Sequence, residues 1–170
     1  MDLKELIRVV PDFPKAGISF KDITTLLSDA AAYRQAIDEL ADRLQGIDID
    51  IVVGPEARGF VVASALAYRL GAGLVPVRKT GKLPSETVKV EYALEYGTDR
   101  LEMHADAIRP GQKVVVADDL LATGGTMSAT INLVEQVGGK VVGAAFLIEL
   151  GYLGGREKLA KYNVVSLIQY

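Results

Sequence analysis

The sequence predicts an α/β fold, a twisted parallel sheet with helices on both faces, plus a small flexible hood or loop region. Three observations carry this. Runs dominated by apolar residues at 49–53, 74–77, 113–117, 141–148 and 164–168 are bounded by Gly, Pro or polar residues, and read as buried strands. Stretches of helical periodicity lie between them. The segment from Lys79 to Glu91 fits neither pattern. Strands that alternate with helices pair in parallel and bury both faces of the sheet.

Ser28 is placed to cap a helix, and Tyr33, Ile37, Leu40 and Leu44 then recur on one helical face that ends near Gly46. Ile49 to Val53 forms the first buried strand, stopped by Gly54 and Pro55. A helix from about Gly59 to Leu70 ends at Gly71, and Leu74 to Val77 is the next strand. Lys79 to Glu91 carries Gly81, Pro84 and alternating charges, which read as a mobile loop or a hairpin. Leu101 and Met103 alternate with polar residues, as in a half-exposed strand. Lys113 to Ala117, Val141 to Ile148 and Val164 to Ile168 are strands, and Thr126 to Val137 is a helix stopped by Gly138 and Gly139. Ligands of such sheets bind at the carboxyl ends of the strands, so the chemistry is expected just after residues 53, 77 and 117.

A chain of 170 residues suits one domain, residues 1–170. Hydrophobic residues make up 49% and charged residues 24%, as in ordinary globular proteins. A formal charge of −3 argues against general nucleic-acid binding. Without cysteine there is no disulfide or thiolate metal site, and His104 alone cannot build a His-rich one. Met1 to Glu5 lacks the basic start and apolar stretch of a signal peptide. No apolar run approaches the ~18 residues that a membrane span needs, so no membrane partner and a cytoplasmic location are expected.

The strongest local signal follows the 113–117 strand. Asp118 and Asp119 come first, then Ala122, Thr123, Gly124, Gly125 and Thr126, then a helix. Glycines let backbone N–H groups converge on an anion, and a helix N-terminus adds orphan donors and partial positive charge. The carboxylates suit sugar hydroxyls, so the unit reads as a site for ribose with a 5′-phosphate. Taken singly, Asp119 and Thr123 read equally well as helix caps. Gly71-Ala72-Gly73 begins like a dinucleotide fingerprint, but Pro76 stands where the third glycine belongs.

The run from Val114 to Thr126 resembles the phosphoribosyl-pyrophosphate (PRPP) motif of the type I phosphoribosyltransferases. The segments 11–14 with 17–23, 54–60, 78–84, 94–97, and 155–159 with 167–170 are similar to the adenine-specific members of that family. The resemblance implies that Asp118 and Asp119 hold the ribose hydroxyls and that Ala122 to Thr126 hold the 5′-phosphate. It implies an adenine pocket at Ser19, Phe20 and Lys21, with Phe20 stacked on the base and backbone groups matching its edge. Phe20 by itself also reads as a core residue. Pyrophosphate falls to Glu56, Ala57 and Arg58, where the family's 56–57 peptide bond is typically cis, and to Arg78, Lys79 and Lys82, which also read as a solvated loop. Glu95 becomes the acid/base for adenine, although alone it reads as an exposed strand-end acid. The implied reaction is adenine plus PRPP giving AMP and pyrophosphate. Its Mg²⁺ would be held mainly by PRPP and water, and the implied assembly is a homodimer. A site for another base, or a PRPP-sensing regulatory protein on the same fold, are the alternatives.

Overall fold

The computed structural model describes residues 1–93 and 96–170. Near the N-terminus, β1 (Arg8–Val10) and β2 (Phe20–Asp22) form a two-stranded antiparallel sheet of their own, with Val10 opposite Phe20. A single helical turn, α1 (Thr24–Leu27), leads to α2 (Ala30–Asp42). Asp29, not Ser28, caps α2, and its carboxylate accepts from Ala31 N at 3.0 Å and Ala32 N at 2.9 Å. Ser28 instead closes α1 and donates its hydroxyl to the Thr25 carbonyl. Both side chains are good caps, and the one-residue shift follows from α1 using Ser28 first.

The large sheet is built from β3 (Ile51–Pro55), β4 (Gly73–Lys79), β5 (Thr87–Ala93), β6 (Thr98–His104), β7 (Lys113–Leu121), β8 (Lys140–Glu149) and β9 (Val164–Gln169). The strands lie in the order β5-β6-β4-β3-β7-β8-β9. Strands β4, β3, β7, β8 and β9 pair in parallel, as expected. The hairpin β5–β6 extends the β4 edge in the antiparallel sense. Of the loop and hairpin readings for residues 79–91, the second part is therefore strand. Val88, Val90 and Tyr92 alternate along β5 and pack against the core, which gives that strand an apolar face.

Helices α2 and α3 (Arg58–Leu70) cover one face, and α4 (Gly125–Gln136) covers the other. The central strands feed both layers by alternation. In β7, Val115 and Ala117 pack with Leu40, Val62 and Leu66, while Val114 and Val116 pack with Ile131, Leu133 and Val134. Helix α3 ends where expected, with Gly71 at φ +68° as a left-handed cap. The four-residue turn α5 (Gly155–Lys158) connects β8 to β9.

The strands run past their expected ends. β3 extends to Pro55, β4 to Lys79 and β7 to Leu121. Asp118 and Asp119 thus belong to the strand and not to the turn after it. The cause is β8, which keeps pairing with β7 as far as Leu121 opposite Glu149.

Candidate active site

The carboxyl ends of β3 and β7 are neighbours in the sheet, while their chains leave on opposite sides. This is the switch point at which doubly wound sheets open a crevice. A cavity of about 200 Å³ opens here, lined by Arg58 and by residues 118–127.

Its floor is the turn from Ala122 to Gly124 and the start of α4. Gly124 sits at φ +86° as N-cap and supplies no side-chain acceptor, and the first turn of α4 holds no acidic residue. The leading N–H groups of a twelve-residue helix thus face the cavity without a capping side chain. A phosphate group fits that arrangement. The two glycines serve different ends. A Cβ on Gly125 would make only ordinary contacts, 3.9 Å from both Thr123 Oγ1 and Tyr92 Cδ2. A Cβ on Gly124 would lie 2.9 Å from the Gly155 carbonyl oxygen.

The wall is the aspartate pair. Asp119 is 4% exposed and receives Arg58 Nε at 2.6 Å. Asp118 Oδ1 accepts the Asp119 backbone N–H at 2.8 Å. Burial, and then the Asp119 charge beside it, push the Asp118 carboxyl well above the usual carboxylate range. Gly59 makes this close approach possible, since a Cβ there would lie 2.9 Å from Asp118 Oδ1. One carboxylate is thus paired with a guanidinium and its neighbour is biased to the neutral form. Such a pair both accepts and donates hydrogen bonds to hydroxyls.

Arg58 joins this wall to the N-terminal sheet. Its guanidinium carbon lies 5.5 Å from the centre of the Phe20 ring. Phe13 packs edge-on to Phe20, with centroids 5.2 Å apart. Phe20 is half-buried and belongs to no central cluster, which decides against a core role. Lys21 turns elsewhere. Its ammonium donates to Ser19 Oγ at 2.9 Å and lies 4.3 Å from the Tyr170 ring centre, so only backbone of this segment remains for a ligand beside Phe20.

At the end of β3 the Glu56–Ala57 bond is cis. Glu56 gathers the basic cluster around itself: it accepts Lys79 N at 2.8 Å and Lys82 Nζ at 2.7 Å, with Arg78 Nε 3.3 Å away. Burial raises its carboxyl, but Lys82, the Lys79 N–H and Arg78 outweigh that and hold it below the ordinary range. The Lys79 ammonium pairs with Asp99, which Tyr92 OH also approaches at 3.4 Å. Arg78, Lys79 and Lys82 therefore come together as expected, though each faces a carboxylate. Asp99 and Tyr92 escaped the sequence reading, because nothing local links them to a lysine twenty and thirteen positions earlier. The Arg58 side chain engages Asp119 and Phe20, and not the Glu56 cluster. Glu95 lies outside the described residues.

The phosphoribosyl transferase domain matches residues 22–169. An adenine phosphoribosyltransferase of Alkaliphilus metalliredigens is 62% identical over 170 residues, all of both chains. One from Brevibacillus brevis is 61% identical over the same full span. Among solved structures, the adenine phosphoribosyltransferase of Thermoanaerobacter pseudethanolicus superposes with a TM-score of 0.97 at 56% identity, covering 99% of this chain and 98% of that one. The Saccharomyces cerevisiae enzyme, complexed with an imino-altritol bisphosphate and adenine, gives 0.91 at 39% identity, covering 97% and 96%. With that domain along most of its length and such identity from end to end, the chain belongs to the adenine phosphoribosyltransferase family.

Proposed function

We propose that the protein transfers the 5-phosphoribosyl group of PRPP to adenine, giving AMP and pyrophosphate in purine salvage. The observation that carries this reading is the continuity of the site. One residue, Arg58, touches both the aspartate that walls the phosphate cavity and the aromatic ring expected under the base. The 5′-phosphate sits on Ala122, Thr123, Gly124, Gly125 and Thr126, and the ribose hydroxyls meet Asp118 and Asp119. Adenine lies against Phe20. In its sheet β2 pairs with β1 alone, so among the described residues its other edge keeps N–H and C=O groups outside any strand pairing near Ser19 to Lys21. Alternating donors and acceptors suit the amino group and ring nitrogen of adenine, and a 6-oxopurine reverses that pattern, leaving buried groups unpaired.

Pyrophosphate is received by Glu56, Ala57 and Arg58 through their backbone, and by Arg78, Lys79 and Lys82. To bind it, these cations exchange their carboxylate partners for phosphate oxygens. The reacting C1′ passes through an oxocarbenium-like state, which a closed, dry site protects from water. Glu95 takes the imidazole proton of adenine as its ring nitrogen attacks.

Mg²⁺ is the cofactor of this reading. The site's donors are the carboxylate oxygens of Asp118 and Asp119, which suit a hard cation. Asp119 is already paired with Arg58, and no group of three or more His, Cys, Asp or Glu side chains suited to a metal gathers among the described residues. The two aspartates would therefore contribute through water, with PRPP oxygens as the main ligands. Bound there, the ion neutralises charge on the leaving pyrophosphate. A homodimer, which rests on the family resemblance, and a cytoplasmic location, expected from the lack of a signal peptide or membrane-length apolar run, complete the reading, with sedimentation and cell fractionation as their tests.

The deciding experiment is turnover with PRPP and Mg²⁺, using adenine against hypoxanthine and guanine. Adenine alone should be consumed. Preference for a 6-oxopurine overturns the base assignment. PRPP binding without turnover of any base assigns a PRPP sensor instead.

A further inference from the structure

The phosphate turn does not hold its own shape. Gly124 and Gly155 meet backbone to backbone, with no side chain between them. A Cβ on Gly155 would collide with the Ala122 carbonyl and lie 3.1 Å from Gly124 N, while one on Gly124 would lie 2.9 Å from Gly155 O. The turn that receives the anion is thus moulded on the first residue of α5. That helix is four residues long, begins at a left-handed Gly154 and has no side-chain cap, so it lacks the means to fix itself.

A side-chain fork holds it. Arg156 Nε donates to Glu149 Oε1 at 2.9 Å and Nη2 donates to Glu149 Oε2 at 2.6 Å. Arg156 Nη1 reaches the Val164 carbonyl at 3.0 Å, and Ser166 Oγ donates to Glu149 Oε2 at 2.6 Å. Glu149 is 6% exposed at the end of β8, opposite Leu121, the last residue before the turn. The fork therefore ties β8, β9 and α5 together, and β8 pairs with β7 up to Leu121, where the phosphate turn begins. None of its members lines that cavity. A half-exposed ion pair gives little net stability, but a planar bidentate pair fixes position and angle at once.

We infer that Arg156, locked by Glu149 and Ser166, is a positioning residue for the 5′-phosphate turn: it sets Gly155, and Gly155 sets the backbone of Ala122 to Gly124. This rests on the turn being the PRPP phosphate site. Lysine at 156 keeps the charge and loses the fork. Arg156→Lys should raise the KM for PRPP and weaken ribose 5-phosphate binding by about tenfold to a hundredfold, the scale on which a misplacement of about 1 Å acts at a preorganised site. The KM for adenine and the affinity for inorganic pyrophosphate should stay within about twofold.

The test pairs steady-state kinetics with calorimetry of ribose 5-phosphate and with thermal melts. Arg156→Gln leaves Glu149 buried and unpaired, and it should melt early. The double variant Glu149→Gln/Arg156→Gln removes that stranded charge and should recover the melting temperature without recovering the PRPP KM. Recovery of both together assigns the fork to stability alone and overturns the inference, as does a folded Arg156→Lys protein with unchanged ribose 5-phosphate affinity. Should the glutamine variants fail to fold, Arg156→Lys and Ser166→Ala decide, and an equal loss for adenine and ribose 5-phosphate counts against positioning. If the wild type binds no ribose 5-phosphate, the site assignment itself falls, separately from the fork.

Discussion

Alanine at Gly124 and alanine at Gly125 should have opposite effects on stability, although the two glycines are adjacent. From the sequence both seemed to clear the way for phosphate. The structure separates them. Gly124 lies at φ +86°, where an L side chain costs about 1–2 kcal/mol, and its Cβ would press on the Gly155 carbonyl at 2.9 Å. For a chain of this size 1 kcal/mol moves the midpoint by roughly 2–4 °C. Gly124→Ala should therefore melt about 2–8 °C below wild type, before any contribution from the contact itself. Gly125 has no positive φ, and its Cβ would find only Thr123 and Tyr92 at 3.9 Å. Gly125→Ala should melt at or slightly above wild type, because alanine suits a helix better than glycine. Gly125 itself lines the cavity, so the PRPP affinity of Gly125→Ala should fall by about tenfold or more, roughly 1.4 kcal/mol or more. Differential scanning calorimetry and PRPP titration read both quantities. A Gly124→Ala protein as stable as wild type refutes the backbone argument. Wild-type PRPP affinity in Gly125→Ala removes this helix N-terminus from the site.

Neutralising Lys79 and Lys82 together should weaken PRPP and pyrophosphate far more than adenine and flatten the salt dependence of PRPP binding, measured by titration across ionic strength; an equal loss for adenine points to general disruption. Asp118→Asn should raise the melting temperature while impairing PRPP binding. The folded carboxyl is raised by burial and by Asp119, so the wild type carries a penalty that is absent below the unfolded pKa and grows as pH rises through the folded one. The gain from asparagine should accordingly be largest at neutral to alkaline pH and vanish in acid, and melts that show no such trend count against a strained carboxylate. Glu95→Gln should lower kcat by about 10²–10⁴ with nearly unchanged PRPP binding and should erase the acidic limb of the kcat–pH profile. Retained turnover with chemistry rate-limiting passes the adenine proton to water or to departing pyrophosphate.

The sheet and its helices were legible because their signals are local. An apolar run such as Val114 to Val116 names a buried strand, and Gly71 names the end of α3. The end of β7 was not legible, since it depends on how far β8 continues alongside. The β1–β2 sheet was missed for a related reason. Its strands are three residues long and carry no alternation strong enough to mark them. In the site, the order Asp118, Asp119, turn, glycines is one contiguous statement and was read as such. What Gly124 rests against was not, because Gly155 arrives from thirty-one positions later.

The basic segment shows most plainly what contiguity conceals. Arg78, Lys79 and Lys82 read as a free anion trap. Folded, they meet Glu56 just after β3 and Asp99 from β6, so three cations face two carboxylates and the cluster keeps one net positive charge. In the proposed site, pyrophosphate would have to displace carboxylates and not merely fill a void. A cation already committed to a carboxylate gains less from a new partner than a free one, which favours a polyanion able to take several cations at once over a lone phosphate. The carboxylates return when the product leaves, and they compete for the same ammonium groups. On the proposed assignment, the exchange would limit how tightly pyrophosphate is held after transfer, and would place the selectivity for PRPP over simple phosphates in the acidic partners as much as in the basic ones.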